Sequence, residues 1–260
     1  MSVRNISFIL LIYLVSGHGL FASDKVRETE YEKDLTSGPS ADEVIWIGED
    51  DQRFLALYRA TEKLPIKGTA ILLHQMGSHP DSDPLIYALR HDLSRHNWAT
   101  VAIQLPLREA DVTEPEYYQL FPEAKRRISK AVSHLAENGA VSMVLVGHQL
   151  GALMGLYAQA TEPMPEIGAM VNIGLPVPES ENKYAQTLKL LKSVDIPFLD
   201  LYGGKDSINV VSSARDRRIA AQNNRYFRQV KLNNAGTPYW NDQELIVKRV
   251  YSWLNRINKK

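Results

Sequence analysis

VSMVLVGHQLG, residues 141–151, is followed directly by the helix-forming sequence ALMGLYAQA. The run of Val, Met and Leu predicts a buried parallel strand, and the change to Gly-His-Gln-Leu-Gly predicts a sharp turn into a helix. Gly147 and Gly151 flank this turn, where a missing side chain lets strand and helix backbones pass closely. The stretch therefore predicts a strand–turn–helix unit with Gln149 at its turn.

Strand-like and helix-like segments alternate on both sides of this unit. Besides the strand that ends at Gly147, strands are predicted at 43–47, 53–59, 69–74, 98–105, 167–175, 197–202 and 226–232. Such alternation predicts one doubly wound α/β domain, with a mostly parallel sheet of about eight strands and helices on both faces. We assign this domain to residues 43–260. The polar, charged segment 24–42 has no apolar period, and we expect a flexible leader there.

The first residues of the chain look like a secretory signal. Arg4 supplies a positive start, residues 7–15 form an apolar run, and Ala22 and Ser23 offer small residues for cleavage. The run is shorter than the roughly 20 apolar residues of a membrane-spanning helix. We predict a signal peptide at 1–23, a periplasmic or secreted protein, and no membrane span in the mature chain. The alternative is an uncleaved N-terminal anchor.

Composition narrows the function classes. The chain has 30 basic and 30 acidic residues, and this balance lacks the basic excess of a nucleic-acid-binding protein. It has no cysteine, which excludes disulfides, zinc–thiolate sites and a cysteine nucleophile.

From about Glu43 to Leu254 the chain resembles the α/β-hydrolase superfamily. The matching features are an opening hairpin, a strand ending in Leu-Leu-His at 72–74, the turn at 147–151, the segment LYGGKD at 201–206 and a final Trp-Leu helix at 253–254. It is most similar to a group of exported bacterial proteins of this fold with an altered nucleophile elbow. In the superfamily this elbow reads Gly-x-Ser-x-Gly and carries the catalytic serine.

The resemblance implies a catalytic triad whose positions are altered here. Gln149 stands where the serine should be, Asp206 where the acid should be, and Thr237 where the histidine should be. An amide has no proton that a base could remove to make a useful nucleophile. No histidine follows His148 in the sequence, so the general base is missing as well. We therefore expect a catalytically degenerate protein that binds a small ligand or an envelope protein at the elbow. The alternative for Gln149 is a bracing role without a ligand.

The resemblance also implies that the backbone positions of the superfamily's oxyanion site are present in this chain. The resemblance places its two backbone N–H donors at Met76 and Leu150, and these do not depend on side-chain identity. The ligand-binding candidates are His74, Gln75, Met76, Ser78, His148, Gln149, Leu150 and Asp206.

Two other functions stay open. An esterase or amidase with a rearranged site could use Ser78, or a water held by Asp206 and His79. A purely structural partner in an envelope complex is a third alternative.

His74, His79 and His148 could approach one another, but no ligand spacing of the metalloprotease type is present and His148 resembles the structural histidine before the elbow serine. We predict no metal and no cofactor.

Overall fold

The structure is a computed structural model that describes residues 23–257. Its strands are β1 (Val44–Ile47), β2 (Phe54–Arg59), β3 (Gly68–Leu73), β4 (Trp98–Ile103), β5 (Met143–His148), β6 (Ile167–Ile173), β7 (Phe198–Gly203) and β8 (Phe227–Leu232). Its α-helices are α1 (Lys25–Ser37), α2 (Pro84–Ser94), α3 (Glu114–Tyr117), α4 (Phe121–Glu137), α5 (Leu150–Thr161), α6 (Thr187–Leu191), α7 (Ile208–Ser212), α8 (Ala214–Ala220) and α9 (Gln243–Ile257).

The eight strands form one sheet in the order β1-β2-β4-β3-β5-β6-β7-β8. The β1–β2 and β2–β4 pairs are antiparallel, and all later neighbours are parallel. The predicted doubly wound, mostly parallel sheet of about eight strands is therefore confirmed. Because β5 lies in the middle, the elbow that follows it opens at the centre of the carboxyl edge, where open α/β sheets bind ligands.

Helices cover both faces of the sheet, as the sequence predicted. Alternate residues of a strand point to opposite faces, so Leu145 and Val146 of β5 belong to different core clusters. Helices α4 and α5 pack on the first face, whereas α2 and α9 pack on the second. Val230 packs against the second cluster but is only partly buried, because β8 is an edge strand.

Helix α2 shows how local sequence fixes an element beside the site. The Asp83 side chain accepts hydrogen bonds from the N–H groups of Leu85 and Ile86, and Pro84 occupies the first turn. A side-chain oxygen before the first turn and a proline within it are both typical of helix starts.

The segment 24–42 is not the flexible leader that the sequence suggested. Asp24 caps helix α1, and the buried Glu28 forms an ion pair with Arg127 of α4 at 2.8 Å. Leu35 packs against β2 through Leu55 and Leu57. Hydrophobic periodicity missed the helix because its inward side is mostly ionic and hydrogen-bonded rather than apolar.

The predicted signal peptide at 1–23 lies outside the described residues except for Ser23. Within residues 23–257, no helix combines the length and the apolar character needed to cross a membrane.

Candidate functional site

The elbow after β5 has the backbone of a nucleophile turn although it carries a glutamine. Gln149 has φ 48° and ψ −117°, a conformation that is unfavourable for a residue with a side chain. A Cβ on Gly147 would lie 2.4 Å from the Cα of Ala152, and one on Gly151 would lie 2.2 Å from the carbonyl oxygen of His74. These close approaches explain both glycines, and they hold Gln149 at the point where strand becomes helix.

Gln149, Thr237 and Asp206 lie together in one hydrogen-bond chain. The Gln149 Nε2 donates to Thr237 Oγ1 at 3.0 Å, and Thr237 Oγ1 donates to Asp206 Oδ1 at 3.1 Å. An ionised carboxylate only accepts, so the single hydroxyl proton of Thr237 goes to Asp206. Thr237 must therefore accept from the glutamine amide, which fixes the orientation of that amide and leaves its Oε1 without a protein partner in the described chain.

The direction of this chain decides its chemistry. Every proton in it points toward Asp206, and no group accepts a proton from the residue at the elbow. A serine hydrolase needs the opposite arrangement, in which a base takes a proton from the nucleophile. The three groups can hold a hydrogen-bonding ligand, but they cannot generate an activated nucleophile.

Tyr239 also contacts Asp206, although no sequence pattern predicts this contact. Its hydroxyl donates to Asp206 Oδ2 at 2.5 Å, and the Gly203 N–H donates to the same oxygen at 2.7 Å. Burial raises the pKa of Tyr239, and the nearby Asp206 carboxylate raises it further, so the phenol stays protonated. No periodicity marks the loop at 233–239, so only the position two residues beyond Thr237 could have drawn attention to this tyrosine.

A cleft with a volume of about 600 Å³ opens over the elbow. Met76, Gln149 and Leu150 line it, and Glu114 and Glu179 contribute carboxylates to its wall. The backbone N–H of Leu150 is at the start of α5 and has no acceptor within its own helix. Met76 reaches the same cleft from the loop after β3, so both predicted oxyanion positions lie on this pocket.

Helix α1 holds the loop that carries Met76. The Arg27 guanidinium donates to the carbonyl oxygens of Gly77 and Arg108, both at 2.8 Å, and the Tyr31 hydroxyl donates to Gly77 at 3.2 Å. Arg27 and Tyr31 are one helical turn apart on the same side of α1, so both side chains reach the loop after β3. No sequence signal marks this contact, because the segment that carries Arg27 and Tyr31 has no apolar period.

His148 and Asp83 form a buried pair next to the elbow. His148 Nδ1 donates to Asp83 Oδ2 at 2.7 Å, and both side chains are fully buried. Burial works to raise the pKa of Asp83, but the neighbouring His148 and the amides of Gln75 and Ile86 outweigh it and lower this pKa to about 2. The pair braces the elbow strand against the start of α2, which fits the structural role suggested for His148.

His74 is also buried in the fold. Its Nδ1 lies 2.8 Å from the carbonyl oxygen of Gln75, and its Nε2 accepts from the Leu105 N–H at 3.0 Å. Burial lowers the pKa of His74 to about 4, so the ring is neutral at pH 7. The Gln75 N–H donates to Asp83 at 3.1 Å. His74 and Gln75 therefore shape the loop beneath the cleft.

Ser78 and His79 do not form a nucleophile and base. The Ser78 hydroxyl bonds to the Ser82 hydroxyl at 2.8 Å, while His79 Nδ1 accepts from the Asp81 N–H at 3.2 Å. The His79 ring packs on Tyr31, with their centroids 4.6 Å apart. Neither residue hydrogen-bonds to Asp206. Within residues 23–257, no group of three His, Asp or Glu side chains is arranged to hold a metal ion.

The sheet order, the strained elbow and the acid after β7 define an α/β-hydrolase fold. The chain belongs to the family described as "Protein of unknown function (DUF3530)", whose profile matches residues 23–126 and 121–256. No curated protein matches the sequence.

Solved structures share the fold at low sequence identity. Est1E from Butyrivibrio proteoclasticus has a TM-score of 0.65 and 15% identity, over 84% of this chain and 99% of that chain. An esterase domain from Rhodothermus marinus has a TM-score of 0.62 and 15% identity, over 82% and 97%. An α/β serine hydrolase without a lid, from Xanthomonas campestris, has a TM-score of 0.65 and 12% identity, over 82% and 93%. At these identities the likeness shows the fold and not the reaction.

Proposed function

We propose that this protein is a catalytically degenerate α/β hydrolase of the bacterial cell envelope, which uses the elbow cleft to bind a small ligand. The observation that carries the proposal is the chain from Gln149 through Thr237 to Asp206, in which each group donates toward the acid. It occupies the place of a triad and supplies neither nucleophile nor base.

Retention of the elbow supports a binding role over a merely structural one. A backbone conformation such as that of Gln149 costs on the order of 1–3 kcal/mol and persists only where the surroundings impose it. A purely structural turn gains nothing from this strain. The cleft also falls within the range of about 300–1,000 Å³ that is typical of small-molecule sites.

The polar groups of the cleft favour one ligand chemistry. The N–H groups of Leu150 and Met76 can donate to a carbonyl oxygen, and Gln149 Oε1 can accept from an N–H group of the same ligand. Glu114 and Glu179 disfavour a negative charge. A neutral carboxamide or a short peptide segment meets these requirements. A segment of an envelope protein could present the same groups.

No specific contact favours the rearranged esterase or amidase. Ser78 is bonded to Ser82, His79 is bonded to Asp81, and Asp206 is surrounded by Thr237, Tyr239 and Gly203. The low-identity esterase structures support the fold of that alternative but not its chemistry.

Catalysis is tested with p-nitrophenyl acetate and a fluorophosphonate probe on the wild type, Gln149→Ala and Ser78→Ala. We expect hydrolysis at the buffer rate and no labelled protein for all three. Turnover that survives Gln149→Ala and disappears in Ser78→Ala would overturn the proposal in favour of the rearranged enzyme.

Binding is tested by NMR titration of the wild type with N-acetylglycinamide and with N-acetylglycine. The neutral amide should shift the amide resonances of Met76 and Leu150 at lower concentration than the carboxylate does. Gln149→Leu, which keeps bulk but removes the acceptor, should weaken the amide complex about tenfold, the worth of one good hydrogen bond. If the amide complex has the same affinity in Gln149→Leu as in the wild type, the assigned role of Gln149 is wrong.

The envelope location rests on the signal-like segment at the start of the sequence. The family match begins at residue 23, the last residue of that segment. Intact-mass measurement of the protein from cell fractions should find a mature chain that starts near Ser23 or Asp24, outside the cytoplasm. A cytoplasmic protein that retains Met1 would exclude this part of the proposal.

A further inference from the structure

A second cleft lies far from the elbow, between edge strand β8 and helix α9. It has a volume of about 230 Å³, and Arg228, Arg249 and Arg256 line it together with Ser252 and Trp253. Arg228 is level with Leu199, near the beginning of the parallel strands β7 and β8. The cleft is therefore at the edge of the sheet opposite the elbow, which opens at the carboxyl ends.

The sequence builds this cluster from two periodicities. Arg249, Trp253 and Arg256 recur at helical spacing and share one side of α9. Arg228 and Val230 alternate along β8, so they face α9 together. The two sets of residues meet because α9 packs against this face of the sheet.

Three positive charges meet here, and the described part of the chain provides no counterion for them. Within residues 23–257, the guanidinium groups of Arg228, Arg249 and Arg256 have no ion pair and no hydrogen bond to a protein acceptor. No Asp or Glu lines the cleft, and the only acid of α9 is Glu244 in its first turn. By contrast, the buried Arg127 and Arg217 are each paired with a buried carboxylate.

We propose that this cleft binds the phosphate group of a phosphorylated ligand. Guanidinium groups match phosphate oxygens in geometry, and a phosphate monoester carries close to two negative charges at pH 7. One carboxylate would neutralise only one of the three arginines. The Ser252 hydroxyl adds a neutral donor, and Leu199, Val230 and Trp253 give an apolar floor for the part of the ligand next to the phosphate.

The test is isothermal titration calorimetry with inorganic pyrophosphate at low, constant ionic strength. We expect saturable binding by the wild type and at least about tenfold weaker binding by Arg249→Gln and by Arg256→Gln, because each removes a charge-assisted hydrogen bond. The matched control is Arg218→Gln, which removes the same charge from an exposed position on α8, at the opposite face of the sheet. It should change affinity less than twofold.

Three results would overturn the proposal. They are an absence of saturable pyrophosphate binding, equal weakening by Arg218→Gln, and citrate binding as tight as pyrophosphate at the same ionic strength. The last two would indicate a generally positive surface without a phosphate site. Circular dichroism of each variant excludes unfolding as the cause of a loss.

Vesicle sedimentation then separates two sources of the phosphate. Sedimentation with phosphatidic acid vesicles but not with phosphatidylcholine vesicles, lost in Arg256→Gln, would support the site and assign it to a lipid headgroup. Pyrophosphate binding without sedimentation would support the site and assign it to a soluble phosphorylated compound.

Discussion

Asp200 and Asp206 lie a few residues apart, one inside β7 and the other just after it, but their partners differ in kind. Asp200 is fully buried and paired with the equally buried Arg217, whose Nε lies 2.9 Å from Oδ2. Gln229 donates to the same oxygen at 2.8 Å. Among residues 23–257, Asp206 accepts hydrogen bonds only from uncharged donors, namely the N–H groups of Gly203 and Thr237 and the hydroxyls of Thr237 and Tyr239.

The difference separates a carboxylate that stabilises the sheet from one that orients the side chains at the elbow. A charge inside the sheet is tolerated because a full counterion and further hydrogen bonds replace water. A triad acid instead faces a histidine that becomes positively charged during turnover. Asp206 has neutral donors in that place, and its negative charge orients the hydrogen bonds of Thr237 and Gln149.

The largest effect is expected from breaking the Asp200 pair. Arg217→Met leaves a buried carboxylate without its cation and should lower the free energy of unfolding by about 3–5 kcal/mol. Denaturant unfolding followed by circular dichroism measures this change. The control is the double variant Asp200→Leu/Arg217→Met, which removes both charges and should recover most of the loss. A single variant as stable as the wild type would show that the pair is not needed.

A smaller effect on stability is expected from Asp83, whose partner is the buried His148. The pKa of Asp83 is lowered to about 2 in the fold, below the ordinary value of 3.8. Stabilisation from a lowered pKa is present above the unfolded value and is lost as pH falls toward the folded one. The stability difference between the wild type and Asp83→Asn should therefore shrink by about 2 kcal/mol between pH 5 and pH 2. A difference that stays constant over this range would contradict the lowered pKa.

Asp206→Asn should lower the free energy of unfolding less than Arg217→Met does. The amide can still accept from Thr237, but its NH₂ group faces the Gly203 N–H, which loses its acceptor. One unsatisfied buried donor costs about 1–3 kcal/mol, measurable by the same unfolding experiment. The variant should also lower the pKa of Tyr239 toward its ordinary value, since the nearby negative charge is gone. An unfolding penalty as large as that of Arg217→Met would remove the distinction between the two carboxylates.

Sequence patterns predicted most of the fold, for physical reasons that particular residues show, whereas the resemblance to the α/β-hydrolase superfamily supplied the three positions that the structure joins by hydrogen bonds. Close backbone contacts require Gly147 and Gly151, and the spacing of the two glycines in the sequence indicates these contacts. The sequence did not predict helix α1, because polar contacts of Glu28, Arg27 and Tyr31 hold this helix and such contacts produce no hydrophobic period. The contact of Tyr239 with Asp206 depends on the path of an irregular loop, which no periodicity encodes.

The smallest effect is a gain of hydrolytic activity, expected from rebuilding the triad. A histidine at position 237 would give Asp206 a partner that becomes a cation during turnover, as Arg217 is a cationic partner for Asp200. Gln149→Ser alone should leave p-nitrophenyl acetate hydrolysis at background, because no base would take the serine proton. Thr237→His alone should do the same, because no nucleophile is present. The double variant should show slight turnover, since Asp206 Oδ1 already accepts a hydrogen bond from position 237 and could orient the imidazole. The gain should be non-additive because triad members act as a unit. Adding Asp206→Asn to the double variant should abolish it. A gain from Gln149→Ser alone that equals the double variant would mean that another group acts as the base, and the neutral role assigned to Asp206 would then be wrong.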